Sequence, residues 1–288
     1  MKAFGSQSMV EPLKRVLVRR PDEAFGNADP EGWHYVSQPE LKKAQAEHDA
    51  LAATLREAGC EVLYHQADLP EHADAIFTHD PAIITDEGSI ILSMGKEQRR
   101  GEEAAIGATL EELGVPTLAT LEGEATAEGG DLLWLDHDTL AVGRGYRTNA
   151  EGLRQLTAAL RPVGVETVEV QLPYGDGPIA CLHLMSLISM LDHDLAVVHL
   201  PLLPVPFVEL LADRGIETVE VPEEEYPTMG PNVLALAPRS CLMIEGNPVT
   251  RERLERAGCE VLTYRGDELS LKAEGGATCL TRPILRTT

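Results

Sequence analysis

AGCEVL, at residues 58–63, is the key to the architecture, because the same phrase returns at residues 257–262. In both copies a helical tail runs into a glycine, and a short β-branched run follows. Three weaker copies lie between them: EELGVPTLAT (111–120), RPVGVETVEV (161–170) and ADRGIETVEV (212–221). The glycines stand about 43 to 55 residues apart, a spacing typical of repeat architectures. Glycine suits the end of a helix, since it takes the left-handed cap without steric cost.

An apolar hairpin separates each copy of this phrase from the next. Each hairpin has two strand-like runs around a polar turn, at residues 76–94, 129–143, 181–199 and 232–246. The sequence predicts a helix after each hairpin, at about 97–113, 149–161, 206–214 and 249–257. The repeating unit is therefore hairpin, helix and strand.

The two ends of the chain can supply the missing fifth hairpin. ATCLTRPILR (277–286) and KRVLVRRP (14–21) are both strand-like, and pairing them would close a ring. A closed ring of repeats protects the edges of its sheets. We therefore predict an α/β fold, a five-bladed α/β propeller with pseudo-fivefold repeats, as a single domain over residues 1–288. A mixed α/β sandwich with accidental similarity is the alternative.

The composition excludes several classes of protein. Lys and Arg number 24 against 47 Asp and Glu, which gives a net charge of −23 and argues against nucleic acid and anionic membranes as partners. No apolar run approaches the ~18 residues of a membrane span, and the start shows no signal-peptide pattern. The five cysteines form no CxxC pair, which fits a reducing cytoplasm and the absence of a zinc site.

One segment stands outside the repeat, at about residues 21–40. It is rich in turn-forming residues and carries Trp33 and Tyr35. We interpret it as a surface loop, with a lid over a central site as the alternative.

The residues that begin the five hairpins are unusual for a core: Asp80, Glu128, His183, Asn232 and Cys279. Singly, Asp80 could be a turn residue and Glu128 an exposed loop acid. His183 and Cys279 could simply pack in the core. Equivalent positions in a ring should lie at a similar radius, however, and a carboxylate between apolar strands is costly unless it meets a cation or donors. Together they indicate one convergent site.

This set of residues suits attack on a cationic planar carbon such as a guanidinium. The carboxylates would hold the cation, the thiolate of Cys279 would add to carbon, and His183 would protonate the departing amine. The pairs Gly129-Gly130 and Gly275-Gly276 lack side chains, so backbone there could approach a ligand closely.

These residues resemble those of a known family, the dimethylarginine dimethylaminohydrolases of the guanidino-group-modifying (pentein) superfamily. The resemblance runs from about Leu13 to Arg286 and rests on several motifs in order: FTHDPAIIT, RRGEE, EGGDLLW followed by GRGYRTNAEG, CLHL, PEEEY and GGATC. It implies a five-bladed α/β propeller around a central polar channel. It also implies hydrolysis of a guanidino C–N bond through a cysteine thiouronium intermediate, without a cofactor.

Three catalytic roles follow from matching these motifs. The family's nucleophile falls on Cys279 and its general acid/base on His183. Its orienting glutamate falls on Glu128.

Four binding roles follow in the same way. The resemblance implies that Asp80 binds the guanidinium, and that Asp74 binds either the guanidinium or the other polar end of the substrate. It implies that Arg99 and Arg147 bind the substrate carboxylate.

The sequence departs from the motifs of related families at two positions. His79 stands where these enzymes typically have Glu, and Met185 stands where an arginine deiminase has an acid. Asp80, where arginine dihydrolases tend to carry Asn, favours single hydrolysis to a ureido product.

The expected reaction converts an arginine derivative, with Nω,Nω-dimethyl-L-arginine first, to L-citrulline and an amine. An amidinotransferase, an arginine deiminase-like activity and a noncatalytic binding module are the alternatives. The expected partner is a small guanidino compound, and assembly as a homodimer is left open.

Overall fold

The computed structural model describes residues 2–178, 180 and 182–287, so Cys181, at the start of one predicted hairpin, lies outside the described residues. Within them, the strands form five sheets of three strands each. The strands are β1 (Leu13–Val18), β2 (Glu61–Tyr64), β3 (Ala82–Ile84), β4 (Ser89–Ile91), β5 (Thr117–Thr120), β6 (Leu132–Asp136), β7 (Thr139–Arg144), β8 (Glu166–Gln171), β9 (Ile188–Asp192), β10 (Leu195–Val198), β11 (Glu217–Glu220), β12 (Leu234–Ala237), β13 (Ser240–Ile244), β14 (Glu260–Tyr264) and β15 (Arg282–Arg286).

Every sheet repeats one pairing pattern. Its middle strand is antiparallel to one neighbour, which forms the hairpin, and parallel to the other, which is reached through a helix. The helices are α1 (Glu23–Gly26), α2 (Pro30–Trp33), α3 (Leu41–Glu57), α4 (Glu102–Glu112), α5 (Ala150–Leu160), α6 (Val205–Asp213) and α7 (Pro248–Arg256). This is the predicted unit of hairpin, helix and strand, and the five-bladed α/β propeller is confirmed.

The chain ends close the ring as predicted. β15 runs antiparallel to β1, with Leu13 opposite Arg286 and Leu17 opposite Arg282, and β1 runs parallel to β2. The N-terminal residues extend this pairing, since Gly5 exchanges backbone hydrogen bonds with Ile284 and Arg286. The blade that carries Cys279 at its start is therefore built from residues far apart in sequence.

The repeated glycines end their helices in the left-handed conformation. Their φ angles lie between +71° and +90°, at Gly59, Gly114, Gly164, Gly215 and Gly258. The helix predicted at about 97–113 begins later than expected. Residues Glu97–Arg99 form a short 3-10 turn, and α4 starts only after Gly101, whose φ of +106° is incompatible with a helix.

The apolar core lies between neighbouring blades and under the helices. Ile83 of β3 shares one cluster with Trp134 of β6 and Leu156 of α5. Leu133 and Ile188 share a second cluster across the next boundary. Full burial of one such side chain contributes about 1.5–3 kcal/mol. None of the described helices combines the length and apolar character that crossing a bilayer requires.

Residues 21–40, which we call the cover segment, contain two short helices and not a plain loop. The carboxylates of Asp22 and Asp29 cap α1 and α2 by accepting from the backbone N–H groups of Ala24 and Gly32. Trp33 and the next residue, His34, line the central cavity. The interpretation as a plain surface loop is therefore wrong, because this segment packs over the place where the hairpins meet.

Candidate functional site

The five hairpin starts converge in the structure. Asp80 bonds to the turn that follows Glu128, Glu128 bonds to His183, and Asn232 bonds to Cys279. Asp80, His183 and Cys279 all line a cavity of about 40 Å³. Four of these side chains are buried and Cys279 is half-buried, so the site is a largely desolvated cluster of polar groups.

Glu128 and His183 form the tightest contact of the site. The Glu128 Oε2 lies 2.7 Å from the His183 Nε2, and the Arg147 Nη1 donates to the same oxygen at 3.1 Å. The other oxygen accepts from the backbone N–H of Lys96 at 2.9 Å. Burial by itself would raise the pKa of Glu128, but the His183 hydrogen bond and the Arg147 charge hold that pKa well below its usual range. An ionised glutamate in this position orients the imidazole and stabilises its protonated form.

Asp80 forms a buried ion pair with Arg99. Its Oδ2 accepts from the Arg99 Nη1 at 2.6 Å, and its Oδ1 accepts from the backbone N–H of Gly130 at 2.9 Å. Although burial opposes ionisation, the Arg99 charge lowers the pKa of Asp80. Asp80 therefore presents a fixed negative charge to the cavity.

Arg99 is held from its other side by Glu102. Its Nε and Nη2 donate to the Glu102 carboxylate at 2.8–3.1 Å, and Nη2 also donates to the carbonyl of Phe77 at 3.0 Å. Burial raises the pKa of Glu102 to about 7. All these contacts are with protein groups, so the role of Arg99 toward a substrate carboxylate stays a prediction.

Asp74 lies on another wall of the cavity, beneath the cover segment. Its Oδ1 accepts from the Tyr35 hydroxyl at 2.7 Å and its Oδ2 accepts from the Lys96 Nζ at 2.6 Å. Burial and the charge of Asp74 raise the pKa of Tyr35, so the tyrosine remains a hydroxyl donor. The role of Asp74 in binding substrate stays a prediction, because both of these contacts are with protein groups.

Cys279 follows the turn that begins the closing blade. The Asn232 Nδ2 donates to its Sγ at 3.3 Å, while the Asn232 Oδ1 accepts from the backbone N–H of Thr278 at 3.0 Å. Cys60, Cys241 and Cys259 are buried, so Cys279 is the most accessible cysteine among the described residues. A thiol at the cavity wall, with an amide donor beside it, is suited to act as a nucleophile.

The glycine pairs allow this close packing. A Cβ on Gly130 would lie 2.4 Å from the His183 Nδ1, and one on Gly275 would lie 2.1 Å from the ring of Phe77. A Cβ on Gly276 would lie 2.4 Å from the Asn232 Oδ1. The predicted close approach of a ligand to these glycines stays a prediction, because the groups that approach them here belong to the protein itself.

His79, which stands where the family typically has Glu, is buried behind the site. Its Nδ1 lies 2.9 Å from the Thr281 carbonyl oxygen and therefore donates its hydrogen. Burial, helped by the Arg282 charge, lowers the pKa of His79 to about 3, so the ring is neutral.

Sequence reasoning missed several residues of the site. Asp131 accepts from the Leu184 N–H at 3.0 Å and from the Thr148 hydroxyl at 2.6 Å, so it fixes the turns beside His183 and Arg147. Burial raises the pKa of Asp131 to about 6. Its place at the end of EGGD, next to Glu128, was the available signal.

Lys96, Trp33 and Glu102 were also missed. Lys96 precedes the RRGEE motif and Glu102 lies within it, but only the fold shows that their side chains turn inward. Among the residues that the structure describes, no group of three or more His, Cys, Asp and Glu is placed to hold a metal ion.

Comparison with known proteins gives a consistent set of relatives. The family model described as N,N dimethylarginine dimethylhydrolase, eukaryotic, matches residues 22–286. The N(G),N(G)-dimethylarginine dimethylaminohydrolase of Streptomyces coelicolor is 33% identical over 276 residues, which cover 93% of this chain and 96% of that protein. The enzyme of the same name from Pseudomonas aeruginosa is 28% identical over 268 residues, covering 93% and 98%.

Solved structures agree with this result. A dimethylarginine dimethylaminohydrolase mutant from Pseudomonas aeruginosa, complexed with citrulline, superposes with a TM-score of 0.79 at 26% identity and covers 94% of this chain and 99% of its own. An amidinotransferase from Microseira wollei has a TM-score of 0.84 at 15% identity, covers 99% of this chain and 98% of its own, and shares the fold alone. The chain therefore belongs to the dimethylarginine dimethylaminohydrolase family and is a hydrolase of the guanidino group.

Proposed function

We propose that the enzyme hydrolyses an Nω-methylated arginine, with Nω,Nω-dimethyl-L-arginine as the expected substrate, to L-citrulline and dimethylamine. One observation carries the proposal: Cys279, His183 and Asp80 line a single cavity, and the buried Glu128 holds the imidazole. The names of the relatives from Streptomyces coelicolor and Pseudomonas aeruginosa support the choice of substrate.

The first half of the reaction forms a bond from the Cys279 Sγ to the guanidinium carbon. The thiolate supplies the electron pair, and the tetrahedral adduct then breaks its bond to the substituted nitrogen. That nitrogen takes a proton from His183, because an amine leaves poorly unless it is protonated. The products of this half are dimethylamine and a cationic thiouronium on Cys279.

The second half returns the enzyme to its starting state. His183, now neutral, takes a proton from water while the oxygen bonds to the thiouronium carbon. The C–S bond then breaks, and the thiolate of Cys279 leaves with the electron pair. The remaining water proton leaves the new C–OH group for solvent, where the released dimethylamine takes it up, so His183 ends protonated as it began. The ureido product carries the water oxygen, so one water is consumed for each amine released.

The charged groups of the site divide these tasks. Asp80 and Glu128 hold the guanidinium beside Cys279, and Glu128 also stabilises the imidazolium of His183. Asp74 serves the same cation or another polar end of the substrate. Arg147, next to Glu128, is assigned to the substrate carboxylate. Arg99 is assigned there too, although its contacts place it first as the partner of Asp80.

The test is a panel of guanidino compounds with separate detection of ureido product and released amine. Dimethylarginine should give citrulline and dimethylamine in equal amounts, and arginine should be turned over much more slowly. Addition of glycine or ornithine should leave the products unchanged. Amidino transfer to the added amine as the main outcome would make the enzyme an amidinotransferase, and preferential release of ammonia from arginine would make it a deiminase.

A variant tests the proposed intermediate. In His183→Gly the second half should suffer more than the first, since substrate protons can still assist the leaving amine. Intact mass after acid quench should then show Cys279 carrying the substrate-derived adduct. Full loss of activity without any adduct would contradict the assignment of His183 to the second half.

A further inference from the structure

Lys96 is a cation in a site that must accept a cation. Its side chain is only 10% exposed and lines the cavity. The Nζ donates to the Asp74 Oδ2 at 2.6 Å and to the Trp33 carbonyl at 2.9 Å, and it lies 5.1 Å from the centroid of the Trp33 ring. Burying an ammonium ion costs free energy, and the Asp74 carboxylate alone would balance its charge. Charge balance therefore does not explain why Lys96 lies on the cavity wall under the cover segment, and a functional reason is needed.

The cations of the site stand at two different ends. Arg99 is bound to Asp80, which reaches the backbone of Gly130 beside His183. That is the end where the guanidinium carbon meets Cys279. The Lys96 Nζ instead contacts Asp74 and the Trp33 carbonyl of the cover segment. In an extended arginine the carboxylate lies at the opposite end from the guanidinium, so Lys96 beneath the cover is placed to meet it alongside Arg147.

The donors of Lys96 leave room for a ligand. An ammonium ion has three hydrogens, and the described contacts use two of them, toward Asp74 and Trp33. Lys96 also has a flexible four-carbon stem, so its head can move while the backbone stays fixed. The backbone N–H of Lys96 is fixed, because it donates to the Glu128 Oε1 at 2.9 Å.

The cover segment borders the space that a ligand of the size of arginine must fill. Trp33 and His34 line the same cavity as Lys96 and Cys279, so we expect the cover segment to shift when a ligand enters. When the cover segment moves, the Lys96 ammonium loses the Trp33 carbonyl. A carboxylate from the ligand can replace that neutral acceptor with a charged one, which makes the stronger hydrogen bond.

We propose that Lys96 is a specificity-determining residue that binds the carboxylate of an amino-acid guanidine beneath the cover segment. The inference rests on the proposed function, because it deepens the substrate class of the same site. Asp74 keeps the ammonium in place, and the exchange of the Trp33 carbonyl for the ligand carboxylate links substrate binding to movement of the cover. Guanidines without a carboxylate lack this exchange.

The experiment compares Lys96→Met with Lys96→Arg and with Lys43→Met as matched control. Lys43 is an exposed lysine paired with Glu40, so its removal changes net charge equally. Each variant is assayed with dimethylarginine and with the decarboxylated analogue of the same guanidine. Lys96→Met should raise KM for dimethylarginine by at least about 10-fold and change kcat by less than about 3-fold. KM for the decarboxylated analogue should change by less than about 3-fold.

The other variants sharpen the outcome. Lys96→Arg retains a cation and should recover most of the preference for the carboxylate, and Lys43→Met should match the wild type. Lys96→Met leaves Asp74 buried with one partner fewer, so Lys96→Met/Asp74→Asn removes both charges together. Because Asp74 is also assigned to the substrate, KM should rise for both compounds in the double variant, with the larger rise still for dimethylarginine. Equal loss on both substrates, in single and double variants, would mean that Lys96 only supports the fold and would overturn the proposal.

A binding measurement separates this proposal from the proposed function. L-arginine and agmatine are titrated calorimetrically into Cys279→Ser and into Cys279→Ser/Lys96→Met. The second protein should lose affinity for L-arginine by at least about 10-fold and for agmatine by less than about 3-fold. If the wild type fails to hydrolyse dimethylarginine while this difference persists, the substrate assignment fails and the role of Lys96 stands. If turnover is as proposed but the difference is absent, the role of Lys96 fails alone.

Discussion

The cavity has two ends that are built differently. At one end Asp80 and Glu128 each meet a cation within about the length of a hydrogen bond, and both carboxylates are buried. At the other end Trp33 and Lys96 hold each other through one carbonyl and one ring face, and Glu274 stands nearby on the cavity wall. Groups that must act on a developing charge work best when they are already fixed. Groups that admit a ligand must be able to move. We therefore expect the reactive end to be rigid and the cover end to adjust when a ligand binds.

The largest effect is expected at the reactive end, for Cys279→Ser. Removing the thiolate removes the covalent path, so turnover should fall by ~10³-fold or more. The measurement is kcat/KM with dimethylarginine by citrulline formation. Cys60→Ser is the control, because Cys60 is buried and its Sγ donates to the Leu13 carbonyl, which a serine can also do. A Cys279→Ser enzyme with a rate near that of the wild type would contradict the assignment of Cys279 as the nucleophile.

A pair of glutamates compares the two ends directly. Glu128→Gln keeps the shape but removes the charge that orients His183 and stabilises its imidazolium, so kcat should fall by ~10²–10⁴-fold. Glu274→Gln removes a carboxylate at the cover end, where the effect should be below about 10-fold and mainly on KM. Steady-state kinetics of both variants decide the matter. Similar losses of kcat would show that the two ends do not divide the work as described.

Much of the reactive end could be predicted from the sequence, because the repeat places five hairpin starts at one radius. Asp80, Glu128, His183 and Cys279 are separated by up to two hundred residues, yet their equivalence in the repeat predicts that they meet. The repeat also predicts closure by the two ends of the chain, which the pairing of β1 with β15 confirms.

What the sequence could not give is the direction of long side chains outside the repeat. Lys96 reads as an ordinary charge and Glu102 as one acid of the RRGEE motif. The short 3-10 turn and the positive φ of Gly101, which shape the backbone between them, appear only in the fold. Trp33 lies in a segment with no hydrophobic periodicity, so its position on the cavity wall depends on tertiary packing and could not be predicted from the local sequence. For Arg99 the motif names a residue type, but only the fold shows that Asp80 and Glu102 already bind it.

A methyl group tests how rigid the reactive end is. In Gly130→Ala the new Cβ would lie 2.4 Å from the His183 Nδ1, so the ring must move away from Glu128. We expect kcat to fall by about 10-fold or more with a smaller change in KM. Gly145→Ala is the matched control, since its Cβ would meet only the Leu172 side chain, at 3.4 Å. Equal activity of the two variants would mean that the reactive end yields as easily as the cover.

The smallest effect concerns stability in acid and again reports on the reactive end, through His79. Burial lowers the pKa of His79 to about 3, against about 6.5 in an unfolded chain. Between those values the unfolded state binds a proton that the folded state does not. The contribution of His79 to the free energy of unfolding is therefore fully present above pH 6.5 and is lost as pH falls toward 3. The loss is about 1.4 kcal/mol for each pH unit below 6.5.

Glutamine at this position does not titrate, and its amide can still donate to the Thr281 carbonyl. Thermal melts of wild type and His79→Gln at pH 7.5 and 5.5 should therefore differ in slope, with the wild type losing about 2–4 °C more on acidification. Buried acids such as Glu102 titrate in both proteins and cancel in this comparison. Identical slopes would show that His79 gains solvent or a proton in the folded state, and that the layer behind Asp80 is less rigid than its contacts indicate.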